Sequence, residues 1–148
     1  MRQSVSDMLH AFWGSSFAQE LRQAKQCHRE LEFNIVIPSE LLPGEPRCIA
    51  GKIDCLFESA AGEWVIFDYK TGDRFAGKDP AELLRHYEFQ LGVYAWAVRK
   101  GLGISPAQVA VVTFRPQVTL TVWPVSDRAI DQIQARAVEA IVELIRTR

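Results

Sequence analysis

The stretch Trp64-Val65-Ile66-Phe67-Asp68-Tyr69-Lys70-Thr71-Gly72 (WVIFDYKTG) decides how the rest of the chain is read. Its first four residues are apolar without interruption, the pattern of a strand buried on both faces. An acid and a lysine follow, two residues apart, and the chain turns at Thr71-Gly72. Side chains two apart share one face of a strand. Asp68 and Lys70 therefore point the same way and Tyr69 points away. A buried strand ends by presenting opposite charges from a single face.

Working upstream, residues 48–59 (CIAGKIDCLFES) read as the preceding strand, joined through a short turn at 59–63. A hairpin turning near Ala61 pairs residues whose numbers sum to about 122, which sets Asp54 opposite the Asp68 region. Two acids and a lysine then converge at one end of a sheet. Burying a carboxylate costs several kcal/mol, roughly, unless it is paired or ligates a metal. Clustered acids repel, so a divalent cation is a natural neutraliser. Carboxylates with few histidines suit Mg²⁺ or Mn²⁺. Such an ion polarises a phosphate, and a lysine beside it can hold the attacking water or stabilise charge on phosphoryl oxygens. The bland alternative is a structural Asp–Lys pair at a strand end.

The remaining elements follow from periodicity. Residues 6–26 carry apolar positions at three- and four-residue steps, with Ser6 as N-cap and Gly14 dividing the segment into two short helices. Residues 27–37 (CHRELEFNIVI) alternate and are rich in β-formers. The first three strands are expected to form an antiparallel meander, with Gly51 marking a bulge or a close approach. Residues 38–47 and 71–80 read as loops. Asp79 caps a helix with Pro80 at its first position, running to about Lys100 and stopping at Gly101. Its apolar stripe is Leu83, Tyr87, Leu91, Tyr94 and Val98. Two further strands lie within 107–116 and 118–125. Ser126 caps a last helix with the stripe Ile130, Ile133, Ala137, Ile141 and Leu144. The expected order is α-βββ-α-ββ-α in an α/β domain, a mixed central sheet flanked by helices.

The chain has 148 residues, enough for one domain with a full core. A net charge of −1 gives no global basic signature for nucleic acid, so any phosphate-binding surface must be local. Arg74, Lys78 and Arg85, around the loop after Lys70, are candidates for phosphate contacts, with a solvated polar loop as the alternative. No stretch approaches a membrane helix, and the first residues show no secretory signal, which makes a cytoplasmic location the default. Cys27, Cys48 and Cys55 have no metal-binding spacing and read as buried or half-buried small residues. The four tryptophans are expected in the core.

Gly51-x-x-Asp54, Asp68-Tyr69-Lys70 and Gln90-x-x-x-Tyr94, in that order, resemble the PD-(D/E)xK nuclease superfamily. The similarity is greatest to the RecB-type nuclease domain at the C-terminal end of UvrD-like helicase–nucleases of the RecB/AddA kind. Arg29-Glu30-Leu31-Glu32-Phe33 resembles that family's R-E-x-P-F strand, with Glu32 where proline is common. The segment 12–31 resembles the helix before it. The resemblance implies a restriction-endonuclease-like core and Mg²⁺-dependent (or Mn²⁺-dependent) cleavage of DNA, mainly single-stranded, during double-strand break repair. By position it implies that Asp54 and Asp68 ligate the metal and that Lys70 is the catalytic lysine. Glu30 lies at the edge of the site, with Glu32 as a fallback. Gln90 and Tyr94 brace the site or touch DNA, although a buried Gln90 bonded to backbone is also open.

The resemblance also implies upstream helicase domains in the same polypeptide and a second helicase–nuclease subunit. RecB-type domains use a histidine from a helix well upstream of the R-E-x-x-F strand, and His10, His28 and His86 do not match it. The chain therefore reads as a C-terminal fragment that is a weak nuclease by itself. Stand-alone nucleases with an iron–sulfur cluster are set aside, because no cysteine follows Cys55. A nuclease-fold module that binds DNA or a partner without cutting is the second reading.

Overall fold

The computed structural model describes residues 4–40, 44, 47–71, 78–114 and 117–147. The elements run α1 (Val5–Trp13), α2 (Ser16–Arg22), β1 (Gln26–Ile37), β2 (Arg47–Glu58), β3 (Trp64–Lys70), α3 (Pro80–Leu102), β4 (Gln108–Thr113), β5 (Thr119–Pro124) and α4 (Asp127–Arg146). The five strands form one mixed sheet in the order β1-β2-β3-β4-β5. β1 to β3 are the expected antiparallel meander. β3 and β4 are parallel, joined by the crossover helix α3, and β5 returns antiparallel.

Each face of the sheet carries its own core. Phe57, Val65, Phe67, Ala110 and Val112 pack against Phe12, Phe17 and Ala18 of α1 and α2. Ile53, Leu56, Ile66, Val109 and Val111 pack against Leu91, Tyr94 and Val98 of α3 and Ile130, Ile133 and Ala137 of α4. Alternation along β3 thus sends Val65 and Phe67 toward α1 and α2, and Ile66 toward α3. Asp68 follows Ile66 by two and falls on the α3 face.

Several boundaries differ from the periodicity reading, each for a local reason. Ser4, not Ser6, caps α1: its hydroxyl accepts from the Asp7 amide while Asp7 accepts from the Ser4 amide. That reciprocal pair leaves Ser6 inside the helix. The expected break near Gly14 is present, and Ser15 restarts the chain as the N-cap of α2. The long helix α3 continues past Gly101 and stops at Gly103, whose φ of 67° is the left-handed cap. Caps at Asp79 and Ser126 form as read. Leu144 is 57% exposed, so the stripe of α4 outruns its packing.

Cys55 is buried but Cys27 and Cys48 are exposed, because both lie toward the ends of long strands. Trp96 is buried, whereas Trp13 is 46% exposed, with the Arg22 guanidinium over its ring at 5.6 Å. Among the described residues, no helix is long and apolar enough to cross a membrane.

Candidate active site

The β2–β3 ladder runs from Glu58↔Trp64 to Cys55↔Phe67, a register that places Asp54 level with Asp68. Pairing between β2 and β3 stops there. Asp68, Tyr69 and Lys70 go on pairing only with β4, at Val111, Val112 and Thr113. The sheet is therefore forked, and Asp54 and Asp68 stand at the crotch. The Tyr69 amide does not meet β2 backbone; it donates to Asp54 Oδ2 at 2.9 Å. A side chain replaces the missing ladder bond.

The fork coincides with a second irregularity. The β1–β2 ladder pairs Arg29↔Cys55 and Leu31↔Ile53 but lacks the pair between them, Glu30 with Asp54. Glu30 has φ 50°, and among the described residues it is the one non-glycine in the left-handed region. Across this break β2 changes the face it presents: Ile53 and Leu56 join the α3-side core, while Cys55 and Phe57 join the opposite one. Strict alternation would have put Ile53 and Cys55 together.

Asp68 is 4% exposed. The Lys70 ammonium lies 2.5 Å from its Oδ2, close in distance but off hydrogen-bond geometry, and that oxygen is buried with no well-aligned donor. Burial raises the carboxyl to about 6; Lys70 partly offsets this, and Asp54 adds to it. Lys70 also sits over the Tyr87 ring, 4.4 Å from its centroid. The charges of Asp68 and Lys70 thus face one another on the α3 side, as their two-residue spacing requires.

From α3, Gln90 donates to the Tyr94 hydroxyl at 3.0 Å. Burial raises the Tyr94 hydroxyl pKa, and the Asp68 charge adds to that. Gln90 is exposed, not buried as the stripe suggested, and its amide bonds a tyrosine hydroxyl on its own helix. The Tyr94 ring meets Phe33 edge-on at 5.8 Å between centroids. A Cβ on Gly51 would sit 2.6 Å from the Phe33 ring, so the glycine of the G-x-x-D segment makes room for this contact.

The other sequence candidates are less gathered. Glu30 is exposed and turns to Lys52 at 3.6 Å. Glu32, paired with Lys52 across the ladder, is exposed as well. Lys78 is half-buried before α3 and Arg85 is exposed on its first turns. Arg74 lies outside the described residues. His10 contacts the Ser6 carbonyl, His28 stacks on Trp64, and His86 lies against Tyr87. Among the described residues no group of three or more His, Cys, Asp or Glu side chains is placed to hold a metal. The apolar stripe of α3 marks Tyr87 only as a core residue. The signal of a further role is its position: three before Gln90 and seven before Tyr94, on the same helix face.

A forked mixed sheet with a crossover helix closing on two acids and a lysine defines an α/β domain of the nuclease type. The chain belongs to the PD-(D/E)XK nuclease superfamily, whose family model matches residues 1–147. It is 35% identical over 118 residues to an ATP-dependent helicase/nuclease subunit of Lysinibacillus sphaericus, a match covering 76% of this chain and 9% of that protein. It is 39% identical over 103 residues to the protein of the same name from Bacillus pumilus, covering 61% of this chain and 8% of that one. The chain thus spans under a tenth of the length of these relatives. In fold it resembles the crystal structure of a protein from Eubacterium rectale described as a candidate exonuclease. That match has a TM-score of 0.61 at 14% identity, covering 95% of this chain and 51% of the other.

Proposed function

We propose that this chain is the nuclease domain of a larger helicase–nuclease, hydrolysing phosphodiester bonds in DNA strands, mainly single-stranded, delivered by motor domains of the same polypeptide during double-strand break repair. A second helicase–nuclease subunit is the expected partner, in the cytoplasm. The names and lengths of the relatives support the larger assembly. The observation that carries the chemistry is the buried Asp68 carboxylate, held between Asp54 and Lys70 at the fork.

The donor set fits a hard divalent cation, Mg²⁺ or Mn²⁺. Both acids offer oxygen, the Asp68 Oδ2 lacks an aligned donor, and burial disfavours the ionised carboxylate even with Lys70 beside it. A cation held there by Asp54 and Asp68 would act as a Lewis acid toward a phosphate oxygen. Lys70 places a positive charge beside the same spot, suited to orienting water or stabilising charge on the phosphoryl group. Gln90 and Tyr94 fix the α3 wall, and Lys78 and Arg85, with Arg74, are the candidates for phosphate contacts along the entering strand.

The test is cleavage of end-labelled single-stranded DNA with Mg²⁺ or Mn²⁺, using the helicase–nuclease that contains this chain. Asp68→Ala and Lys70→Ala should each abolish cutting while the chain stays folded. Either cation should raise the melting temperature of the chain, with Mn²⁺ binding more tightly, and Asp54→Asn should remove the shift. Undiminished cutting by Asp68→Ala overturns the reading. A non-cleaving, DNA-binding module is the second reading, favoured by the absence of a third ligand among the described residues. It predicts DNA retention with no cutting and no cation-dependent melt.

A further inference from the structure

The Lys70 ammonium has two close neighbours of different character: the Asp68 carboxylate and the face of the Tyr87 ring. They come from different elements and differ in what they ask of the site. Asp68 is an acid that a cation shared with Asp54 would claim. Tyr87 is neutral, 6% exposed, and locked into α3 between the buried Leu83 and Leu91. The helix itself is anchored by a reciprocal cap at Asp79 and by packing along its whole buried stripe.

We infer that Tyr87 is a positioning residue for Lys70, its ring face forming the seat that keeps the ammonium in place when Asp68 turns to a cation. This rests on the nuclease reading of the site. The physical argument is one of competition. A divalent ion at Asp54 and Asp68 weakens the hold of Asp68 on Lys70 and repels the ammonium directly. A lysine on a flexible four-carbon stem would then swing out to solvent. An aromatic face attracts a cation through its quadrupole without offering a lone pair to the metal. It thus secures the lysine without competing for the ion. The ring is delivered to this spot by its helical phase: Tyr87, Gln90 and Tyr94 lie along one face of α3. Tyr87 faces Lys70, and Tyr94, two turns further along the helix, takes the Gln90 amide on its hydroxyl and the Phe33 ring edge-on. Of the residues on this face, Tyr87 is the one whose ring lies under the lysine charge.

Two variants separate the ring from bulk and from the hydroxyl, and a third serves the assignment. Tyr87→Phe keeps the π face; Tyr87→Leu keeps apolar volume but removes it; Lys70→Arg assigns the lysine signal. The first readout needs no activity: NMR of the chain with lysine labelled at the ε-carbon. Ring current should displace the Lys70 ε-methylene upfield in the parent and in Tyr87→Phe, and Tyr87→Leu should return it to the position of solvated lysines. Adding Mg²⁺ should leave the upfield signal in place in the parent. The second readout is steady-state cleavage by the parent helicase–nuclease. Tyr87→Leu should lower kcat on the order of tenfold or more with KM little changed, the signature of a misplaced reacting group. Tyr87→Phe should restore turnover to within about twofold.

Melting curves of the variants identify any that fail to fold. A Tyr87→Leu variant that keeps either the upfield signal or full turnover overturns the inference, as does a Tyr87→Phe variant as impaired as Tyr87→Leu. If the parent cuts nothing with either cation while the upfield signal stands, the nuclease reading falls and the seat remains.

Discussion

The backbone amide of Tyr69 is hydrogen-bonded to the carboxylate of Asp54, at 2.9 Å, where β2 and β3 part company. Asp54 is therefore both a candidate ligand and a piece of the sheet. Asp54→Ala should cost about 1–3 kcal/mol, the penalty of leaving a backbone donor unsatisfied. Asp54→Asn keeps an acceptor and should cost about half as much. Urea denaturation of the two variants checks this; equal losses would mean that the amide is satisfied in another way.

Asp68 gives the apo chain a pH dependence of definite sign. Its folded pKa is raised to about 6 from an ordinary value of 3.8. The folded state thus binds the proton more tightly than the unfolded state. The stabilising contribution is full below the unfolded value, falls as pH rises between the two, and is gone above the folded value. With about 1.4 kcal/mol per unit, the change should approach 3 kcal/mol at most. Unfolding free energies of the metal-free chain, measured at several pH values across that window, should decline with pH. In Asp68→Asn the slope should flatten. A rise in stability across the window that Asp68→Asn leaves unchanged would refute the assignment.

Gly51→Ala should strike the Phe33 ring, whose nearest atom lies 2.6 Å from where the added methyl carbon would sit. The ring can tilt, so the loss should be about 1 kcal/mol, at the low end for overpacking. The tilt should also disturb the contact between Phe33 and Tyr94. Combining Gly51→Ala with Phe33→Leu should recover part of the loss, which a double-mutant cycle in thermal melts would show as coupling.

Glu30 holds its left-handed backbone against a steric preference. Glu30→Gly should relieve this and leave stability unchanged or raised by about 0.5 kcal/mol, the gain in native strain being offset by a freer unfolded chain. If Glu30 serves the site, the same variant should cut DNA more slowly. Paired melts and cleavage assays separate the two. A loss of about 1 kcal/mol or more, what removal of a sound contact costs, would show that no strain was stored there.

Most of the fold is legible in the sequence because periodicity and register are local. The hairpin near Ala61 sets Asp54 level with Asp68, and the two-residue spacing sets Asp68 and Lys70 on one face. Gly51 marks a close approach, and the Phe33 ring is what approaches. Other features depend on tertiary context. The fork is invisible in residues 48–59, since the same strand pattern suits a continuous ladder. Tyr87 looks like a core residue because it is one; only the position of Lys70 across the fork gives its ring a second duty. Glu30 shares the alternation of its strand, and nothing in that alternation shows that its backbone leaves the β region and its carboxylate turns to Lys52.

The two acids at the crotch of the sheet stand in different relations to the backbone. Asp54 completes the hydrogen bonding of β3 whether or not any DNA is cut. Asp68 is a buried charge that the fold alone gains nothing by keeping, and Lys70 is its counterweight. On the proposed function, a lineage in which the chemistry ceased to matter would shed Asp68 and Lys70 early, and would keep an acid or amide at position 54 long afterwards. The wear pattern of descendants would thus record which residues had served the reaction and which had also served the backbone.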